Sequence, residues 1–342
     1  MHQQIERQGL GLESIAGKRV LVTGADGFIG SHLTELLVAE GAQVRALSQY
    51  NSFNNWGWLE DIACLSRLEV VPGDIRDPHF CLDLTQGIDV IFHLAALIAI
   101  PFSYKSPGSY IDTNIQGTTN ICQAALRSGV RMMIHTSTSE VYGTAEYIPM
   151  DEKHPLKPQS PYSATKIGAD AIALSFHHAF HLPVRVARPF NTFGPRQSSR
   201  AVIPTIISQI AAGRPEVSLG HTTTTRDFTF VEDTCRGLLA IASLHDNHGE
   251  VFNIGTGSEI SVAALFDIIN ELMGGTARIV KDASRLRPAD SEVVRLCCDN
   301  RKMRAATGFQ PQVTLRDGLI RTIEWITDPG RLRHYKTEIY NV

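Results

Sequence analysis

Tyr162-Ser163-Ala164-Thr165-Lys166 sets a phenol and an ammonium group four residues apart. On a helix the two share a face. A free tyrosine, with a pKa of about 10, is too weakly acidic to act as a base at neutral pH. A cation about 4 Å away contributes at most about 4 kcal/mol at moderate dielectric, roughly three pKa units before desolvation offsets it. A phenol tuned in this way can accept a hydroxyl proton. The same pair on an ordinary helix is a solvated surface pair. Its neighbours argue for chemistry: Thr138, Ser139 and Glu140 follow an apolar run at 132–136.

A second feature lies near the start. Thr23-Gly24-Ala25-Asp26-Gly27-Phe28-Ile29-Gly30 follows a strand-like run and opens a helical pattern. Gly24 permits the tight turn, Gly27 lets backbone approach a pyrophosphate, and Gly30 lets helix and strand pack closely. The helix N-terminus then faces the negative charge. Glycine turns also close strands for structural reasons alone, so the strand–turn–helix context carries the nucleotide reading. Asp74-Ile75-Arg76 follows the third strand-like run. Asp74 is there either to lie near an adenine or to cap the next helix. An acid at the end of the second strand usually holds a ribose in such sites. Here that stretch is Ala46-Leu47-Ser48-Gln49-Tyr50-Asn51, without an acid. Arg45 lies within the strand, and no cation follows it to take a 2′-phosphate. The expected cofactor is therefore NAD.

These residues need a scaffold that brings strand ends together. Apolar runs at 18–23, 43–47, 68–71, 89–94, 132–136 and 183–187 alternate with helical patterns at 29–40, 109–128 and 161–180. Runs without polar alternation suit strands covered on both faces. The alternation predicts an α/β fold with a doubly wound parallel sheet. After Arg188 the texture changes: helical patterns at 200–213 and 231–244, a VFNIG strand at 251–255, and a terminal helix at 315–327. The expected organisation is an arm over 1–16, a cofactor-binding domain over 17–185 with 227–257, and a smaller C-terminal substrate-binding domain from 186–226 and 258–342.

The chain has 342 residues, 43% of them apolar. A chain of that size hides roughly three quarters of its unfolded surface, so it needs no staples. Lys plus Arg is 32 against 35 Asp plus Glu, a net charge of −3. That argues against nucleic-acid binding through a basic face. Nothing reaches the roughly 18 apolar residues of a membrane span, and the polar N-terminus has no signal-peptide core. Six scattered cysteines without a CxxC pair read as reduced thiols in a cytoplasmic protein. His177 and His181 have the spacing of a metal pair, but no third ligand accompanies them, so no metal is expected.

TGADGFIG, HLAA at 93–96, Asn114, STSEVYG at 137–143 and YSATK at 162–166 together resemble the extended short-chain dehydrogenases/reductases that act on nucleotide sugars. RPFNTFGPR at 188–196, RDFTFVEDT at 226–234, NIGTG at 253–257 and RPAD at 287–290 agree. The resemblance runs from about residue 17 to 330. The segments at 50–60 and 95–114 are most similar to NAD-dependent N-acetylhexosamine 4,6-dehydratases of legionaminic acid-type pathways. The resemblance implies a Rossmann fold in which Phe28, Ile29, Leu94, Ala95 and Ala96 line the cofactor together with Gly24, Gly27, Gly30, Asp74, Ile75, Tyr162 and Lys166. It implies that Tyr162 takes the proton of the sugar 4-hydroxyl, Thr138 bonds the 4-oxygen, and Lys166 holds the ribose. Glu140 would remove the carbon 5 proton before water leaves from carbon 6. Ser139 stands where glucose-type dehydratases have an aspartate that protonates the leaving hydroxyl, so Glu140 or a water would serve instead. Asn191, Arg226 and Arg287 match positions that hold the diphosphate of a UDP- or GDP-linked sugar, with Arg196 a further candidate. The family pairs the 109–128 and 161–180 helices across a dimer axis, which implies a homodimer. UDP-glucuronate decarboxylases share the TSEVYG segment, and 4-epimerases share the tyrosine and lysine. A noncatalytic nucleotide-sugar sensor on this fold would need none of Tyr162, Lys166 and Glu140.

Overall fold

Strands β1 (Arg19–Thr23), β2 (Gln43–Gln49), β3 (Glu69–Gly73), β4 (Val90–His93), β5 (Met132–Thr136) and β6 (Val184–Pro189) follow the apolar runs to within two residues. The computed structural model describes residues 15–337. With Val251–Ile254 these strands form one seven-stranded sheet, in the order Val251–Ile254, β6, β5, β4, β1, β2, β3. Every pairing in it is parallel. Helices cover both faces, which is why β4 and β6 are buried along their whole length. This is the doubly wound Rossmann arrangement.

Strand order reverses between β1 and β4, so a crevice opens beyond their C-terminal ends. The glycine turn leaves β1 there, residues 94–96 leave β4, and Thr138 to Glu140 leave β5. Past β6 the chain makes small accessory pairs: Asn191–Phe193 with Phe228–Phe230, Thr225–Arg226 with Ile260–Ser261, and Glu216–Leu219 with Arg278–Lys281.

One expectation lies outside the described residues, one changes, and one helix is new. The arm falls outside the described residues up to 14, and Ile15 is buried in the main core. The expected helix over 109–128 is broken into Pro107–Tyr110, a π turn at Ile111–Gln116, and Gly117–Arg127. A π turn inserts a residue and re-aims its neighbours. Helix Val262–Leu272 was not anticipated, although Ser261 caps it by accepting from Ala264 N at 3.1 Å.

Candidate active site

Helix Pro161–Phe180 starts at a capping box between Ser160 and Ser163, with Pro161 in its first turn. The cap fixes where the helix begins, and therefore where Tyr162 and Lys166 sit. Both are buried, at 7% and 4% exposure. Lys166 Nζ donates to the Thr136 carbonyl at 2.7 Å, tying the helix to the end of β5. Burial lowers the lysine pKa to about 8, against the supporting charge of Asp170.

The expected coupling between the pair takes a different form. Burial pushes the Tyr162 hydroxyl up, a hydrogen bond with Thr138 pulls it down, and the Glu140 charge raises it further. The lysine ammonium donates to the Thr136 carbonyl, and burial is the largest influence on the phenol. Tyr162 packs with Ile100 and Tyr110, and the Tyr110 ring stands edge-on to it at 6.3 Å.

Thr138 caps the short turn Ser139–Tyr142 and accepts from Glu140 N at 3.2 Å. That turn brings Glu140 back beside Tyr162. Ser139 is buried. Behind this turn lies a buried charge network that sequence reasoning missed. Asp170, one turn beyond Lys166, accepts from Ser137 Oγ at 2.7 Å and from Arg188 Nη2 at 2.9 Å. His135 Nε2 lies 3.2 Å from its other oxygen. Burial opposes the Asp170 charge, but the His135 contact and the Arg188 guanidinium hold its pKa down to about 2. The i+4 spacing from Lys166 was a legible signal for Asp170.

At the other end of the crevice, Gly24 has φ +69°, and a Cβ there would lie 2.9 Å from Ala95 N. A Cβ on Gly30 would lie 2.0 Å from the Gly24 carbonyl, so helix Phe28–Ala39 can sit on the turn only without one. At Gly27, which caps that helix without a side-chain bond, the nearest contact of a Cβ would be Gly24 O at 3.3 Å. The result is an uncapped helix N-terminus with no acid in its first turn and backbone open to approach, which fits a dinucleotide pyrophosphate. Thr23 Oγ1 accepts from Leu94 N and Ala95 N, each at 3.1 Å, and so anchors 94–96 against the turn. Asn114, aimed inward by the π turn, accepts from Leu97 N at 2.8 Å and donates to Leu97 O and Thr165 Oγ1 at 3.0 Å. Asp74 accepts from Arg76 Nε at 2.9 Å, which holds its pKa down. It is Asp77, not Asp74, that caps the next helix. Ile75 is buried beneath Gly117. Arg45 turns to the Leu84 carbonyl at 2.8 Å and to Glu69 at 3.0 Å, away from the crevice.

In the C-terminal part, Arg226 and Arg287 converge on Glu292, at 3.4 and 3.9 Å. Arg226 is buried, and burial lowers its pKa, with the nearby charge of Glu140 the strongest opposing influence. So Arg226 bridges the Tyr162–Glu140 corner and the 287–292 loop. That loop is pinned by Ser291, which donates to Gln159 O and pairs with Tyr104 Oη. Asn191 runs beside Phe228 in the accessory pair, and its Oδ1 is buried with no hydrogen-bond partner among the described residues. Arg196 is not brought in: it donates to Glu35 at 2.7 Å and braces the first helix. His181 is the left-handed cap of its helix, and His177 Nδ1 faces the Leu182 carbonyl, so the two do not form a metal pair. Among the described residues no cluster of His, Cys, Asp or Glu could hold a metal ion.

The family model described as GDP-mannose 4,6 dehydratase matches residues 21–322. The chain belongs to the extended short-chain dehydrogenase/reductase family of nucleotide-sugar 4,6-dehydratases and epimerases. A dTDP-glucose 4,6-dehydratase of Actinoplanes sp. is 33% identical over 90% of this chain and 97% of its own length. A UDP-glucose 4-epimerase of Mycolicibacterium smegmatis is 34% identical over 92% of this chain and all of its own. The crystal structure of a dTDP-glucose 4,6-dehydratase from Streptomyces venezuelae with NAD bound superposes with a TM-score of 0.83. It is 33% identical and covers 91% of this chain and 97% of that one. Family membership thus spans both dehydration and epimerisation, and the identities of these relatives do not separate the two.

Proposed function

We propose that this protein is an NAD-dependent nucleotide-sugar 4,6-dehydratase, converting an NDP-hexose or NDP-N-acetylhexosamine to its 4-keto-6-deoxy product with loss of water. One observation carries the reading: Glu140, whose backbone N–H donates to Thr138, carries a carboxylate close enough for its charge to act on the Tyr162 hydroxyl. Epimerisation at carbon 4 has no use for a base at carbon 5, whereas elimination requires one. NAD, when bound, would supply a hydride acceptor for carbon 4 that gives the hydride back at carbon 6 once water has left, with carbon 5 taking a proton from solvent. Tyr162 accepts the proton of the 4-hydroxyl, and Thr138 orients the oxygen from which it leaves. The phenol, raised by burial, needs the positive nicotinamide ring and Lys166 beside it before it can do so at neutral pH. Glu140 then removes the proton from carbon 5 and delivers it toward the hydroxyl leaving carbon 6, since Ser139 offers no acid. Asn191, Arg226 and Arg287 hold the diphosphate, arginine being suited by its planar pairs of donors.

The narrower reading, an N-acetylhexosamine substrate of the legionaminic acid-type pathways linked to UDP or GDP, is supported by the 50–60 and 95–114 segments. A cytoplasmic homodimer joined through the 109–128 and 161–180 helices completes the proposal. The test is incubation with UDP-, GDP-, CDP- and dTDP-sugars followed by product mass. Loss of one water is expected. Loss of carbon dioxide would make the protein a decarboxylase, and unchanged mass with a new isomer would make it an epimerase. In the Glu140→Gln variant, oxidation at carbon 4 should survive and water loss should stall, leaving a 4-keto sugar that keeps its 6-hydroxyl. Deuterium from solvent should enter carbon 5 in the wild type and not in the variant.

A further inference from the structure

The second strand ends without the acid that dinucleotide sites of this architecture use to hold the adenosine ribose. The structure brings an acid to that place from elsewhere. Asp26, inside the glycine turn, reaches across to β2, where its Oδ2 accepts from Gln49 N at 2.9 Å and from Ser48 Oγ at 3.3 Å. The turn is held in this orientation from its far side: Trp58 N donates to the Asp26 carbonyl at 3.0 Å, and a Cβ on Gly57 would approach that carbonyl to 2.6 Å. Asp26 is half-buried, and burial raises its pKa, so its carboxylate gains from a further donor. Both bonds from β2 fall on Oδ2, and the residue's own backbone N–H adds support to the carboxylate. The one cation on this strand, Arg45, is turned to Leu84, Gln86 and Glu69.

We infer that Asp26 is the ribose-binding and cofactor-selecting residue, accepting the 2′-hydroxyl of NAD and repelling the 2′-phosphate of NADP. The glycine turn thereby supplies both the pyrophosphate cradle and the selectivity that the end of β2 lacks. This rests on the glycine turn being a dinucleotide site, and not on which sugar is dehydrated.

The test uses full-length protein stripped of cofactor, with binding followed by calorimetry. Wild type should prefer NAD to NADP, and an NAD analogue lacking the adenosine 2′-hydroxyl should bind about tenfold more weakly, as expected for a hydrogen bond to a charged acceptor. Asp26→Asn keeps an oxygen for Gln49 N but loses the charge, so the NADP-to-NAD affinity ratio should rise about tenfold, the scale of one close, partly screened charge pair. If Asp26 only braces the turn, the deoxy analogue binds as tightly as NAD and the ratio is unchanged in Asp26→Asn, and the proposal fails. The analogue is measured on wild type, so it decides the matter even if the variant does not fold. Wild type that binds neither dinucleotide would overturn the cofactor reading as well.

Discussion

Two groups of buried charge flank Tyr162, and they are built in opposite ways. Behind it, Asp170 is encircled by Ser137, His135 and Arg188 on β5, its following turn and β6, with Lys166 one helical turn away. Asp170 is 1% exposed, and its Oδ2 takes hydrogen bonds from Ser137 and Arg188 while Oδ1 has only the 3.2 Å contact with His135. In front, Arg226 and Arg287 share one carboxylate, Glu292, at distances of 3.4 and 3.9 Å, and Arg287 keeps 26% of its side chain exposed. The first group has its charges matched by short bonds. The second centres on one carboxylate that two arginines approach at longer separations, with the Glu140 charge also acting on Arg226. Buried charge held by close partners fixes geometry, and the more widely spaced cluster is the one the proposed function gives to the diphosphate. A second arginine of β6 repeats the first half of this lesson. Arg185 is wholly buried yet serves only structure, donating to the Ile241 and Leu244 carbonyls at 3.0 and 2.7 Å at the end of helix Val231–Ala242.

The comparison can be broken by substitution. The largest effect is expected at the residue both groups serve: Tyr162→Phe should lower turnover by about 10²–10⁴-fold with folding intact, read as kcat against thermal midpoint. Asp170→Ala should instead cost stability, roughly 3–5 kcal/mol by denaturant unfolding, because it leaves Arg188 buried and unpaired. The Asp170 pKa is depressed when folded, so its contribution is present above the ordinary carboxylate pKa and lost as pH falls from about 4 towards about 2. Asp170→Asn should flatten that part of the stability profile, and an unchanged acid limb would show that the network carries no charge. Arg287→Ala should do the reverse: KM for the nucleotide sugar rising about tenfold or more, with stability within about 0.5 kcal/mol. The smallest effect is expected at Glu292→Gln, a change of a few-fold in KM with kcat unaltered. A large loss of kcat there would mean that Glu292 does more than balance the two arginines.

How far these groups could be read from sequence follows from chain distance. Tyr162, Lys166 and Asp170 stand at helical spacing, and Thr138 and Glu140 sit two residues apart at the end of a strand, so local periodicity reveals them. Arg226, Arg287 and Glu292 lie on an accessory strand and a loop 61 residues further on, and no local pattern links them. Their resemblance to family motifs named the two arginines but not the carboxylate between them. Asn114 was visible as a motif residue, yet its inward aim depends on a π turn that helical periodicity cannot announce.

The sequence by itself determined the sheet, the glycine turn and the helix that carries Tyr162 and Lys166. Apolar run length, glycine position and i, i+4 spacing are local quantities, and burial on both faces leaves few alternatives for strands of this kind. Only the tertiary structure decided where the charges point. Lys166 donates to a backbone carbonyl, Arg45 turns to the Leu84 carbonyl, Arg196 braces a helix, and Asp26 crosses from one strand end to another. A long or charged side chain takes its direction from the partners that compensate its desolvation, and those partners come from distant parts of the chain.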